Sequence, residues 1–359
     1  MVRALGLDIG GVNTKASLIE TSRGTVKHLQ VATEYFPVWK GGKDGLPAVL
    51  STLRDRLTQG AQLDAVGATM TAELCDAFQS KREGVNQILD SVQTVFSGCQ
   101  IWILDVEAKL RSVREARDQP LEVAGANWAG TGWMVAQFIK NCLIVDTGST
   151  TTTIIPVVDA IIAAEGKTDL EKLMIGELVY TGSLRTNIAA IVGAIPVRGG
   201  VASVSSELFS QSGDIHLILG NIKPEEYTVD TPDGRGKTKI EAMARLSRVV
   251  CADSEMLREE EILAIARYVY DAQIEQVAAG LRKVHNRVRP RLGDDTDIVV
   301  TGLGRDFLAK RAAEKLSFHQ VVDLGRIISS DVATASPSVA VALMVASRLE
   351  GAPIAWPSV

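Results

Sequence analysis

The chain nearly repeats its own beginning. Residues 5–18 (LGLDIGGVNTKASL) align with residues 143–156 (LIVDTGSTTTTIIP), so Asp8 matches Asp146 and Gly10 matches Gly148. Each copy drives an apolar strand into Asp-x-Gly and returns through a threonine-containing strand. A pair like this reads most naturally as the openings of two duplicated lobes. The hydrophobic periodicity agrees. It predicts strands at 4–8, 15–20 and 25–32, a helix at 45–57, a strand at 64–70, a helix at 85–96, a strand at 101–104 and a long helix at 121–139. The pattern then restarts, with strands at 142–145, 151–157 and 160–164, a long helix at 258–287, and a strand at 297–301. A helix at 306–315, a strand at 320–323 and a final helix at 336–349 complete it, with Ser336 as the expected N-cap and Pro337 at the first helical position. The fold class is therefore α/β, with a first lobe at 1–140 and a second at 141–359 that carries an insertion at about 166–256. An insertion that long is more often functional than idle.

Composition removes several classes of function. With 46% hydrophobic and 23% charged residues the chain can bury a large core and is not a disordered tail. A net charge of −5 gives no electrostatic footprint for nucleic acid. The basic run Arg282, Lys283, His285, Arg287, Arg289 and Arg291 reads as the end of a helix, where cations suit the dipole. No stretch of 18 uncharged apolar residues suggests a membrane span, and the first strand begins at Val2, which leaves no room for a signal peptide. Four dispersed cysteines and four dispersed histidines exclude a disulfide scaffold and disfavour a histidine-built metal site. The expectation is a cytoplasmic protein with small-molecule partners and neither a nucleic-acid nor a membrane partner; a homo-oligomer is left open.

Three glycine-rich turns carry the chemistry. In Asp8-Ile9-Gly10-Gly11-Val12-Asn13-Thr14-Lys15, the turn through Gly10 and Gly11 can present backbone N–H groups to a phosphate at close range. Asn13 and Thr14 add side-chain donors, and Asp8 at the strand end can hold a hydrated Mg²⁺. Asp146-Thr147-Gly148-Ser149-Thr150-Thr151 offers the same equipment, with Asp146 as the second metal carboxylate and Gly148, Ser149 and Thr150 as phosphate ligands. Either alone also fits a plain hairpin turn. Together, in duplicated lobes, they are expected to set two carboxylates and two N–H nests face to face across a cleft, which suits a diphosphate or triphosphate with one metal ion. The third turn passes from a strand through Gly302 and Gly304 into a helix, whose N-terminus favours an anion; a tight strand-to-helix turn fits equally well.

These turns, in this order, resemble those of the actin, sugar kinase and Hsp70 superfamily, in which two ribonuclease-H-like lobes enclose a nucleotide. The resemblance implies phosphate binding by the loops at 8–14 and 146–150, with the turn at 302–304 beside the adenosine. Four further segments narrow the match: Tyr35-Phe36-Pro37-Val38-Trp39-Lys40, Met70-Thr71-Ala72-Glu73-Leu74, Ala126-Asn127-Trp128 and Gly176-Glu177-Leu178-Val179-Tyr180-Thr181-Gly182. They are similar to one group near the hydantoinase and oxoprolinase proteins, whose archaeal members are methanofuran-biosynthesis synthases. Those synthases join an aminomethylfuran-methyl diphosphate to the phenol of γ-glutamyltyramine and release pyrophosphate.

The resemblance implies a transferase with Mg²⁺ as cofactor and with a small-molecule diphosphate and a phenolic glutamyl acceptor, tyramine- or tyrosine-based, as partners. Whether nucleotide binds is left open. Arg185 would contact the diphosphate, although Ser183-Leu184-Arg185-Thr186 is less basic than the family pattern. Lys15 would help spread charge on the leaving group, or would be an outward strand residue. Glu73 is the first candidate for the base that takes the phenol proton and Glu177 the second; Glu73 could instead serve the dipole of the segment after it. Tyr35, Phe36, Trp39, Asn127, Trp128 and Tyr180 would stack on the furan or phenol ring, or pack in the core. Three other readings stay open: an ATP-dependent small-molecule kinase, an ATP-dependent hydantoinase or oxoprolinase-like hydrolase, and a nucleotide-dependent protein without catalysis.

Overall fold

The computed structural model describes residues 1–355, the side chain of Lys43 excepted. The chain forms two compact units. The first holds Met1–Asn141, Val157–Glu171 and the chain from Leu324 onward; the second holds Cys142–Pro156 and Lys172–Asp323. The second lobe expected at 141–359 thus gives up 157–171 and the segment from 324 onward to the first unit.

In the first unit, strands β1 (Val2–Ile9), β2 (Asn13–Ser22), β3 (Thr25–Tyr35), β4 (Ala65–Met70), β5 (Gln100–Leu104) and β6 (Leu110–Ser112) form one sheet in the order β3-β2-β1-β4-β5-β6. β1 is antiparallel to β2 and parallel to β4. Leu5, Leu7, Ile9, Val66, Ala68 and Met70 pack into one core with Leu46, Leu50 and Leu53 of the Leu46–Thr58 helix and Val85, Ile88 and Leu89 of the Lys81–Val95 helix. Ser80 caps the latter, accepting from the Glu83 N–H at 3.2 Å. The Ser336–Glu350 helix covers the opposite face, so β1 and β4 are buried on both sides and read as continuous apolar runs.

That second layer depends on a cross-strand glycine pair. Gly6 and Gly67 are register partners. A Cβ on Gly6 would stand 2.7 Å from the Ala342 nitrogen and closer still to the Ser338 carbonyl oxygen, both backbone atoms of the covering helix. Gly6→Ala is therefore expected to lift the helix and destabilise the protein by about 1–3 kcal/mol, the usual cost of overpacking. It should appear as a lower urea midpoint at unchanged slope. A wild-type midpoint would show that the helix does not rest on Gly6.

Two expectations here need correction. The helix expected at 121–139 is two pieces, Pro120–Val123 and Asn127–Ala136. Between them Ala124 is extended and pairs with Met70, and Gly125 takes φ +63°, which a continuing helix cannot. Ser336 is the first residue of its helix, with Ala335 in the cap position and Pro337 in the second helical position. The Ser336 hydroxyl donates to the Ala333 carbonyl at 2.6 Å, so it closes the preceding turn.

The second unit repeats the order. Its strands are β7 (Cys142–Thr147), β8 (Thr152–Val158, whose last two residues belong to the first unit), β10 (Leu178–Val179), a separate hairpin of β11 (Ala194–Val197) and β12 (Gly200–Ser203), then β13 (Asp297–Thr301) and β14 (Val321–Asp323), while β9 (Ile161–Ile162) lies in the first unit's Val157–Glu171 segment. The sheet runs β10-β8-β7-β13-β14, as β3-β2-β1-β4-β5 runs in the first. The strand expected at 160–164 shrinks to β9, which pairs only with Val157 and Val158. The edge beside Thr152 and Thr153 belongs to β10, from within the segment assigned to the insertion. Two residues are too short to show a period, which is why the pattern missed it. The Glu259–Leu292 helix buries Ile262, Ile265, Ala266, Val269, Val277 and Leu281 on one stripe, and the basic run lies at its carboxyl end. Among the described residues, no helix is long and apolar enough to cross a membrane.

Candidate functional site

In the first unit the candidate residues gather at the carboxyl ends of β1 and β4, where loops leave parallel strands. Asp8 is the penultimate residue of β1 and only 8% exposed. The next turn is closed by the Gly10 N–H donating to the Asn13 carbonyl at 3.1 Å. Register sets Asp8 beside Lys15 on β2 and Thr69 on β4, and Ile9 beside Thr14 and Met70. Side chains alternate along a strand, so Asp8, Lys15 and Thr69 share one face and Thr14 lies on the other. Thr14 is fully buried. Its hydroxyl is thus not brought together with Asp8. The Lys15 ammonium donates to the Thr334 carbonyl at 2.6 Å.

The aromatic segment docks on the same turn. The Phe36 N–H donates to the Val12 carbonyl at 2.8 Å and the Val38 N–H to the Gly11 carbonyl at 3.0 Å. Phe36 points into packing, its ring filling the space where Gly41 and Gly45 lack side chains. Tyr35 and Trp39 stay 39% and 37% exposed. Trp128 is buried as a core residue, and Asn127 opens its helix partly exposed.

Glu73 lies in the Ala72–Leu74 turn just past β4, and this turn packs on Gly11, whose Cβ would stand 3.9 Å from the Ala72 Cα. The side chain is 1% exposed, and neither carboxylate oxygen accepts a hydrogen bond. The Lys81 ammonium stands 3.6 Å from Oε1 and is itself held 2.7 Å from Asp169 Oδ2. Burial pushes the Glu73 carboxyl up to about 7 against the pull of Lys81. Burial also works against the Lys81 charge, but Asp169 and Glu73 outweigh it and the ammonium's pKa is raised. Glu73 is the first-turn carboxylate of its own short turn, and Glu83 that of the following helix.

In the second unit three turns converge. The Gly148 N–H donates to the Thr151 carbonyl at 2.9 Å, the same closure that Gly10 makes to Asn13. Gly302 takes φ +85°, and a Cβ there would fall 2.7 Å from Asp146 Oδ1. The Gly304 N–H donates to the Thr147 carbonyl at 2.9 Å. The helix expected at 306–315 opens as a wide π-type turn, Arg305–Ala309, before the Lys310–Lys315 helix. The third turn is the stretch after β10. Its Ser183 N–H donates to the Gly148 carbonyl, and the Leu184 and Arg185 N–H groups to the Ser149 carbonyl, at 2.9–3.0 Å. A Cβ on Gly182 would stand 2.5 Å from the Thr150 carbonyl carbon, so glycine permits this docking. The Arg185 guanidinium reaches Thr150 Oγ1 at 3.4 Å.

Asp146, Gly148, Ser149, Thr150, Arg185, Gly302 and Gly304 are therefore together. Glu177 is fully buried, paired to Lys172 at 3.1 Å and to Arg287. Tyr180 is 59% exposed. The sequence reading missed Lys81 and Asp169. Lys81 follows a readable helix cap, but its partner Asp169 is 88 residues away, and no local pattern marks such a pair.

A hydantoinase/oxoprolinase family profile matches residues 64–348. Over 350 residues, 97% of this chain and 99% of the relative, the chain is 38% identical to the (4-{4-[2-(gamma-L-glutamylamino)ethyl]phenoxymethyl}furan-2-yl)methanamine synthase of Methanocaldococcus jannaschii. A synthase of the same name from Methanococcus vannielii is 37% identical over 212 residues, 58% of this chain and 93% of that protein. Among solved structures, nucleotide-free acetone carboxylase is similar with a TM-score of 0.54 at 10% identity, over 95% of this chain and 70% of that one. At that identity the likeness concerns the fold, which is the duplicated ribonuclease-H-like arrangement of the actin, sugar kinase and Hsp70 type.

Proposed function

Because the chain belongs to the hydantoinase/oxoprolinase family and to the synthase family of its archaeal relatives, we propose that it forms the aryl ether their name describes. It would condense an (aminomethyl)furan-methyl diphosphate with the phenol of γ-glutamyltyramine, or of a tyrosine analogue, and release pyrophosphate. The observation that carries this reading is the likeness along 97% of the chain to a synthase whose named product is a phenoxymethylfuran.

In this reaction one bond forms, from the phenol oxygen to the furan methylene carbon. One breaks, from that carbon to the diphosphate oxygen, and the phenol proton leaves. The furan oxygen supports positive charge on the methylene carbon, so departure of the diphosphate can lead. Ser149, Thr150 and Arg185 receive the diphosphate, on the turns that converge within the second unit. Glu73 takes the phenol proton. A carboxyl raised to about 7 is a stronger base than an exposed one, yet half ionised at neutral pH. Tyr35 and Trp39 hold the acceptor ring. Lys15 and Glu177, engaged by Thr334, Lys172 and Arg287, are assigned no step.

The donor set fits Mg²⁺. Asp8 and Asp146 each offer a carboxylate at a strand end, and the buried Thr69 hydroxyl next to Asp8 has no hydrogen-bond partner. No group of three or more histidine, cysteine, aspartate or glutamate side chains suited to a metal occurs among the described residues. Mg²⁺ suits so sparse a set, because it keeps several waters and takes phosphate oxygens from its substrate. Bound there, it would neutralise charge on the departing diphosphate.

Incubation with the furan diphosphate, γ-glutamyltyramine and Mg²⁺ is expected to release pyrophosphate in step with the ether. Absence of both products would defeat the proposal. ADP release from ATP in the presence of a sugar or an amide would replace it with a kinase or hydrolase.

A further inference from the structure

The apolar stripe of the Glu259–Leu292 helix is interrupted by a fully buried glutamine, Gln273. A buried amide must find partners, and those of Gln273 lead to the diphosphate turn. Its Nε2 donates to Thr181 Oγ1 and to the Gly182 carbonyl, both at 2.9 Å. Its Oε1 lies 3.0 Å from His216 Nε2. His216 is fully buried, edge-on to Tyr270 and with its ring centroid 4.5 Å from that of Phe307. Its Nδ1 lies 3.1 Å from Asn221 Nδ2.

Chemistry fixes the direction of every link. An amide nitrogen cannot accept, so Asn221 donates to Nδ1, and the ring proton therefore sits on Nε2 and is donated to Gln273 Oε1. The amide of Gln273 then has one orientation, with both donors aimed at residues 181 and 182. Beyond them, Thr186 Oγ1 lies 3.2 Å from Thr181 Oγ1 and accepts the Gly182 N–H at 3.0 Å. Burial holds the His216 imidazolium down to about 3, so the ring stays neutral across the working range and the relay keeps one state.

We propose that Gln273, oriented by His216, is a positioning residue that locks the Gly182–Arg185 segment onto Gly148 and Ser149 and so shapes the diphosphate receptor. Gln273 touches no substrate; it acts through Thr181 and Gly182. The inference rests on the synthase reading for the identity of what is received, while the lock is a property of the free protein.

Gln273→Leu keeps most of the volume and removes both donors. In ligand-free protein, hydrogen–deuterium exchange of the Ser183, Leu184 and Arg185 amides is expected to accelerate about tenfold, with the Glu259–Leu292 helix still protected. The KM for the furan diphosphate should rise about tenfold with the acceptor KM unchanged. Thr181→Val should behave like Gln273→Leu, and Thr181→Ser should restore wild-type values, which carries the test if Gln273→Leu does not fold. Unchanged exchange, or faster exchange with an unchanged diphosphate KM, overturns the proposal. A wild-type protein that makes no ether defeats the synthase reading instead, and the exchange arm still decides whether Gln273 holds the segment.

Discussion

Glu73→Gln is expected to remove most of the ether-forming turnover and, at the same time, to make the protein more stable above neutral pH. Loss of a positioned base lowers kcat by roughly 10²–10⁴-fold. The wild-type rate should rise with pH to a plateau above about 7, because a carboxyl can act as a base only when ionised. The glutamine variant should lose that limb. The stability change has the opposite sign from the activity change. The folded carboxyl titrates near 7 rather than at its ordinary 4.5, so the folded state holds this proton more tightly. The stability this gives is full below about 4.5 and is lost as pH rises through about 7. Above that, the buried anion costs on the order of 3 kcal/mol relative to a neutral group of the same shape. Urea denaturation at pH 8 should therefore favour the variant, and at pH 4 the two should nearly coincide. Wild-type turnover in the variant would remove Glu73 from the mechanism, and equal midpoints at pH 8 would show that its carboxyl is not raised.

Asp146→Asn should be almost as damaging. The Asp146 carboxylate stands over Gly302 at the end of β7, paired in register with Thr301, and Asp8 holds the equivalent place beside Thr69 on β1. Converting either acid to its amide keeps the shape and removes the charge a divalent cation needs. Turnover should fall by about 10²–10³-fold, with a higher Mg²⁺ concentration required for half-maximal rate. Asp159→Asn, at an exposed turn, should behave as wild type. If rate and Mg²⁺ dependence survive both Asp8→Asn and Asp146→Asn, the assignment of Mg²⁺ to these carboxylates is wrong.

The two turns were legible because each compresses its chemistry into a few consecutive residues, and because the second copy repeats the first. The central strands were legible for a related reason: burial on both faces writes an unbroken apolar run. β10 was not, since two residues leave no period, and so the docking of Gly182–Arg185 on the second turn passed as insertion. Ser336 was placed one position early because a serine before Pro337 fits a cap and equally well a first helical residue that closes the preceding turn. Lys81, Asp169, His216 and Gln273 have hydrogen-bond partners far along the chain. Gln273 shows the difficulty most plainly, as a single polar residue in an apolar stripe that reads as an irregularity until its partners are known.

The division of the chain into units bears on its synthesis. Everything in the second unit, 142–156 and 172–323, is made before the helix at Ser336–Glu350 that covers β1 and β4. Domains ordinarily mature from the N-terminus as they emerge. Here the earlier-made sheet leaves the ribosome with one apolar face still open and waits for the last helix. The glycines at 6 and 67 are the surface kept vacant for it, and a nascent chain stalled before residue 336 would carry a finished second unit beside an unfinished first.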